Sequence, residues 1–393
     1  MVGFMSEFVC IVALLMLVYT YIGYPVLIAL WARLRPRPVT RGAAKPSVAI
    51  IVVAYNEEAR IKNKIETCLA QDYPADSLRI VIATDGSTDA TGTIVRSYAN
   101  RRVRWLGFPA RRGKAACLND SASACEEEVL VFTDARQALN PMAVSALVEN
   151  FTDPEVGAVS GELVFVRDEM TQFAEGVDAY WRYETFIRQQ EARVHSAPGV
   201  TGALYAIRRS CFRPIPQETI LDDVAIPMQA IRAGYRVIFE SRAHAFDRAS
   251  QVPAQEKVRK VRTLAGNYQL LALMPWVILP FVNPIFVQFV SHKVLRLLAP
   301  FAMLALLLAS AALAIESRTF ALFLAFQLLG YAAPFIGPAV PALGRLRIVK
   351  VASAFVLLNW YAVLGLFQFL ANRKGHLWRT HAAATGDGRN TQL

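Results

Sequence analysis

The stretch "SVAIIVVAYNEEARIKNKIETCL" (residues 47–69) opens with eight uncharged residues, 47–54, dominated by Val, Ile and Ala. A run this short and this β-branched, with no polar alternation, reads as a strand buried on both faces. Beyond Glu57 the apolar residues recur at Ile61, Ile65 and Leu69, the spacing of one helix face, and the pattern stops before Pro74. A strand feeding directly into a helix is half of a βαβ unit. The alternation continues outward. "RIVIA" (79–83) is a second strand, and Ser87, Thr88 and Asp89 offer caps for a helix running to about Tyr98. "VRWL" (103–106) and "VLVFT" (129–133) are further strands, with a helix centred on 114–124 between them. "VGAVSGELVFV" (156–166) and "RVIF" (236–239) complete the sheet. The expected fold is therefore α/β, a mostly parallel sheet covered on both faces, over residues 46–262.

On either side of this polar middle the composition changes. Hydrophobic residues make up 54% of the 393 and charged residues 19%, too apolar a balance for an ordinary soluble enzyme. Charges are absent between Glu7 and Arg33, Arg262 and Lys293, Arg296 and Glu316, Arg318 and Arg345, and Lys350 and Arg373. Each gap is long enough for the ~20 residues of a membrane helix, and lipid leaves the backbone no alternative to helix. The expected layout is a membrane helix at 8–32, an interfacial or membrane segment at 263–292, membrane helices within 294–372 and a tail at 373–393. The first run lacks a basic start and a small-residue cleavage site, so it reads as a retained anchor and not a signal peptide. Arg33, Arg35, Arg37, Arg41 and Lys45 follow it, which by the positive-inside rule puts the α/β domain in the cytoplasm of a multi-pass membrane protein. Pro275, Pro280 and Pro284 leave 263–292 open between crossing and lying flat, and the flanking Lys and Arg do not discriminate. The net charge of +11 is accounted for by contact with anionic lipid, and no aromatic-interleaved basic motif points to nucleic acid. The five cysteines match no zinc or redox spacing.

In open α/β sheets ligands bind beyond the carboxyl ends of the strands. Asp85 and Asp134 stand at two such ends. Asp85 can accept a hydrogen bond from a nucleotide base, or serve only as a turn residue. Asp134 can hold a divalent cation against a diphosphate. Lys114 opens a helix, where its charge and the dipole suit a phosphate. Asp222 and Asp223 stand at a helix start, either as dipole-favoured first-turn residues or as a general base facing the cleft; the residues alone leave both open.

Taken together these segments resemble the family 2 inverting glycosyltransferases, particularly the membrane-integrated poly-N-acetylglucosamine, chitin-oligosaccharide and hyaluronan synthases. The resemblance spans about 47–270, in five pieces: "VAIIVVAYNEEARI" (48–61), "ATDGSTDATGTI" (83–94), "RRGKAACLN" (111–119), "VFTDARQAL" (131–139), and "PGVTGALYAIRR" (198–209) with "TILDDVAIPMQAIRAGYRVIFE" (219–240). It implies a GT-A-like domain with Ala54, Tyr55 and Glu57 lining the uridine site, Asp85 on the base, Asp134 on Mg2+ or Mn2+, and Asp223 as catalytic base with Asp222 beside it. It also implies a UDP-sugar donor and a glycan or lipid-linked acceptor. Two departures stand out. The metal motif reads Asp134-Ala135-Arg136, so its second carboxylate is missing; Arg136 either neutralises the diphosphate or faces solvent. In "RKVRTLAG" (259–266) Arg262 matches the family arginine, while Arg259 and Thr263 replace its glutamine and tryptophan; Tyr268 and Trp276 either substitute for that tryptophan or, the more ordinary reading, are interfacial aromatics. Loss of that tryptophan argues for single or limited addition over processive synthesis with translocation. A degenerate, non-catalytic membrane scaffold is the remaining alternative.

Overall fold

The computed structural model describes residues 2–99, 102–166, 172–248 and 253–371. The tail expected at 373–393 lies outside them. The chain divides into two compact units: one drawn from 38–167 and 195–248, the other from 1–37, 168–194 and 249–373.

The first unit is built on an eight-stranded sheet in the order β3-β2-β1-β4-β7-β6-β8-β5. Its strands are β1 Val48–Ala54, β2 Leu78–Asp85, β3 Val103–Phe108, β4 Val129–Asp134, β5 Ala138–Leu139, β6 Val156–Val166, β7 Tyr205–Arg208 and β8 Arg236–Arg248. All seven residues of β1 are buried, because strands and helices cover it on every side. β1 pairs in parallel with β2 and β4 in a register that sets Ala54 against Thr84 and Val53 against Asp134. Three loops therefore leave the sheet at one edge, carrying Tyr55, Asp85 and Asp134.

The expected mostly parallel sheet is present, with two antiparallel insertions. β7 runs antiparallel between β4 and β6, and the two-residue β5 closes on β8. Neither was legible in the sequence: four residues after a Pro-Gly loop carry no period, and the neighbours that pair with them decide the strand. The capping expectation at 87–89 needs correction. The helix starts later, at Thr91, whose N–H is accepted by Asp89 Oδ1 (3.0 Å). Ser87 and Thr88 instead bond Asn56, so these short polar side chains stitch the loop after β2 to the loop after β1.

The second unit is helical. Among the described residues four helices are long and apolar enough to cross a membrane: Gly3–Leu34, Phe286–Ala314, Arg318–Gly337 and Arg347–Ala371. Large apolar side chains such as Phe4, Leu322, Phe326 and Phe367 are exposed on them, as lipid-facing surface requires. This is a membrane protein. Residues 263–292 are not one element. They hold the end of the helix Pro253–Leu273, a 3-10 turn at Pro275–Ile278, and the start of the span that begins at Phe286. The three prolines interrupt the helix there, since each removes a backbone donor. Trp276 is buried within this unit, and Tyr268 donates its hydroxyl to Leu297 O (3.2 Å).

Candidate active site

Because β1, β2 and β4 end at one edge, residues far apart in the chain meet there. Lys114 is the first residue of the helix Lys114–Ser123. Its Nζ lies 2.9 Å from Asp134 Oδ1 at the end of β4 and 3.1 Å from Asp222 Oδ2 at the start of the helix Asp222–Arg232. One ammonium thus holds two carboxylates that would otherwise repel each other. Burial opposes the charge on Lys114, but Asp134 and Asp222 outweigh it and hold the ammonium above the ordinary lysine range. Burial likewise opposes the charge of Asp134, and Lys114, with Arg136 and Lys64 behind it, holds its carboxyl below the ordinary range.

Asp223 follows Asp222 in the first turn. The loop 198–202 wraps it: Val200 N–H donates to Asp223 O (2.9 Å), and a Cβ on Gly202 would stand 3.3 Å from Asp223 Oδ2. Glycine at 202 is what lets the backbone approach the carboxylate so closely.

Asp85 is buried, and both its oxygens accept backbone N–H groups, from Arg112 (2.7 Å) and Gly113 (2.9 Å). This carboxylate anchors the loop that delivers Lys114. Gly86 permits the approach. It has φ 64°, and a Cβ there would lie 2.6 Å from Arg111 N, a distance no side chain tolerates. Of the residues implied for the uridine site, Ala54 is buried at the end of β1 and has only backbone to offer. Tyr55 is half-buried, with the Arg111 guanidinium 4.0 Å from its ring centroid. Glu57 is buried, its carboxylate bonded by Arg60 (2.9 Å) and its N–H donated to Thr91 Oγ1 (2.8 Å). Arg136, 33% exposed, has an acidic partner. It pairs with Asp247 on β8 (2.7 Å), which also accepts from Gln137 (2.9 Å). Arg262 belongs to the helix Pro253–Leu273 of the helical unit.

Three residues escaped the sequence reading. Lys64 is fully buried, donating to Thr133 Oγ1 (2.6 Å) and Gln137 O (2.9 Å), so it braces the segment on either side of Asp134; burial lowers its pKa. Tyr205 on β7 stacks on Phe132 (centroids 5.0 Å apart), and its buried hydroxyl has no hydrogen-bond partner among the described residues. Antiparallel pairing sets Tyr205 opposite Phe132, two residues before Asp134 and so on the same face of the sheet. Burial, then Asp222, Asp223 and Asp134, keep the phenol protonated far above its usual range. Arg111 is the third, with its Nη2 buried and without a hydrogen-bond partner among the described residues. Only Arg111 left a signal, being adjacent to the Gly113-Lys114 pair already singled out.

Among the described residues no three His, Cys, Asp or Glu side chains gather into a metal cage. Asp134, with 39% of its side chain exposed, suits a cation that draws its other ligands from phosphate and water.

The mixed sheet, with acidic side chains, a dipole-assisted lysine and an aromatic–arginine ledge at one edge, has the architecture of the GT-A class. Residues 49–215 match the model of "Glycosyl transferase family 2". An N-acetylglucosaminyltransferase of Bradyrhizobium elkanii is 32% identical over 130 residues, 31% of this chain and 69% of that protein. The chain belongs to glycosyl transferase family 2. A poly-beta-1,6-N-acetyl-D-glucosamine synthase of Staphylococcus epidermidis is 20% identical over 58% of this chain and 56% of its own, so the chain spans little more than half the length of that relative. A mannosyltransferase from Pyrobaculum calidifontis, solved in complex with GDP-Man and Mn2+, shares the fold: TM-score 0.70 at 23% identity, covering 92% of this chain and 99% of that one.

Proposed function

We propose that the chain is a membrane-bound inverting transferase, catalytic unit in the cytoplasm, passing a hexosyl or N-acetylhexosaminyl group from a UDP-sugar to a hydroxyl of a glycan or lipid-linked acceptor. The observation that carries this is the Lys114 ammonium held between Asp134 and Asp222, with Asp223 one residue further on. It gathers phosphate-binding charge, a metal-capable carboxylate and a base into one cleft.

Uracil would stack on the Tyr55–Arg111 ledge, and the lone pairs that Asp85 has left can accept a base N–H. Lys114, freed from one carboxylate by the incoming diphosphate, neutralises it at a helix N-terminus. Asp134 would hold Mg2+ or Mn2+, which supplies further charge neutralisation on the diphosphate when bound. Asp223 takes the proton of the acceptor hydroxyl as its oxygen attacks the anomeric carbon; the bond to the diphosphate oxygen breaks on the opposite face, and configuration inverts. Arg262, by its match to the family motif, helps to hold the departing UDP. Thr263 turns its hydroxyl back onto Arg259 O (3.0 Å) and offers an acceptor sugar no ring, which supports single or limited addition.

Asp223→Asn tests the base. It should lower transfer by roughly 10²–10⁴-fold, as loss of a general base does, while UDP binding by calorimetry is unchanged. Undiminished turnover would remove Asp223 from the role.

A further inference from the structure

The helical unit contains a second concentration of charge, centred on Arg296, Glu184, Glu191 and His292. Arg296 lies in the span Phe286–Ala314. Its Nη1 is bonded to Glu184. Its Nε and Nη2 are both buried and make no hydrogen bond of good geometry among the described residues, and the Tyr183 ring centroid lies 5.5 Å from the guanidinium. Those two N–H groups form the side-on edge of the guanidinium, the edge that grips a carboxylate or phosphate with two parallel bonds. A charged side chain in a membrane span with donors left unanswered is costly, and such residues mark ligand sites.

The nearby acids are already engaged. His292 stands between two of them, Nδ1 2.9 Å from Glu191 and Nε2 3.0 Å from Glu184. Tyr24 adds a hydrogen bond to Glu191 (2.5 Å). Glu184 and Glu191 are thus both occupied by partners within the unit. Arg188 and Lys260 also act on Glu184, and Lys260 sits 4.3 Å from the Tyr180 ring centroid. Lys260 also has Glu256 at 3.8 Å, so each of these acids has a basic partner of its own, and the Nε–Nη2 edge of Arg296 is left for an anion from outside.

The sequence places this edge at headgroup depth. No charge occurs between Arg296 and Glu316. At 1.5 Å per residue that stretch measures about 28 Å, close to the ~30 Å hydrocarbon core. Arg296 therefore stands where the apolar crossing ends and lipid phosphates begin.

We propose that the Nε–Nη2 edge of Arg296 is a binding site for the phosphate group of a membrane lipid or lipid-linked compound. The test uses the full chain in a neutral maltoside detergent, with thermal unfolding as the readout and no sugar nucleotide present, so its failure leaves the transferase reading untouched. Dodecyl phosphate should raise the unfolding temperature in a saturable manner, and dodecanol should not. Arg296→Lys keeps the charge but lacks the two-donor edge, and should weaken dodecyl phosphate binding at least tenfold. Glu184→Gln, which releases Nη1, should bind it as tightly as wild type or more so. Inorganic phosphate matching dodecyl phosphate at equal concentration would support the phosphate site but identify free anion as its occupant. Equal stabilisation by dodecanol, or unaltered binding in Arg296→Lys, overturns the proposal. Should Arg296→Lys fail to fold, the wild-type comparison of dodecyl phosphate with dodecanol decides alone.

Discussion

Replacing Lys114 by Met removes the one cation that Asp134 and Asp222 share, and the consequences can be worked through. The two contacts measure 2.9 and 3.1 Å, with side chains 21%, 39% and 8% exposed for Lys114, Asp134 and Asp222. Two such pairs give a gross Coulomb attraction of about 5 kcal/mol each at an effective dielectric of ~20. Desolvating the ammonium offsets much of that. Removing one partner of a buried pair typically costs ~3–5 kcal/mol; discounted for the exposure of Asp134, the expected loss is about 2–3 kcal/mol. For a domain of this size that is roughly 5–10 °C in unfolding temperature. The pH dependence should also change sign. In the native protein the folded-state pKa of Asp134 is depressed, so its contribution is present above the unfolded value and is lost as pH falls through the folded value. In Lys114→Met the two carboxylates face each other with Arg136 and Lys64 still behind Asp134, and burial together with mutual repulsion raises one above its unfolded value. Its contribution is then present below the unfolded pKa and is lost as pH rises through the raised one, so mild acidification from neutral should stabilise the variant relative to wild type. Thermal unfolding followed by tryptophan fluorescence at pH 4.5 and 7 measures both effects. An unfolding temperature within a degree of wild type at pH 7, with the same pH trend, would refute the reasoning.

Gly202→Ala places a methyl 3.3 Å from the Asp223 carboxylate; it should lower kcat about tenfold or more while the dissociation constant for UDP is unchanged, as calorimetry and UDP-release kinetics together would show. Tyr205→Phe keeps the stack on Phe132 and removes only a buried, unpartnered hydroxyl. Its unfolding temperature should hold or rise, since burying that group costs ~1–3 kcal/mol, while turnover falls roughly tenfold; full activity would show that the hydroxyl serves no reacting group.

Much of the architecture could be read from local pattern. The uncharged β-branched run 47–54, the four-residue spacing of Ile61, Ile65 and Leu69, and the long charge-free stretches each carry a period or a length that one element imposes by itself. The acidic residues at strand ends were legible for the same reason, because a strand ending is a local event. Their partners were not. Asp85 reads as a base-binding acid, yet its two oxygens hold the Arg112–Gly113 backbone. Arg136 reads as a spare cation, yet Asp247, on a strand of the far half of the sheet, claims it. Prolines 275, 280 and 284 marked an interruption without locating the following span, which starts only at Phe286.

By itself, then, the sequence determined that an α/β catalytic unit is joined to membrane helices, and which acids could do chemistry. Tertiary structure alone decided that Lys114 stands between Asp134 and Asp222, that a four-residue strand brings Tyr205 beside them, and that Arg296 keeps two donors free of Glu184. The physical reason is range. Periodicity and hydropathy are set by neighbours along the chain, whereas the partner of a buried charge is set by sheet order and helix packing, which no local pattern encodes.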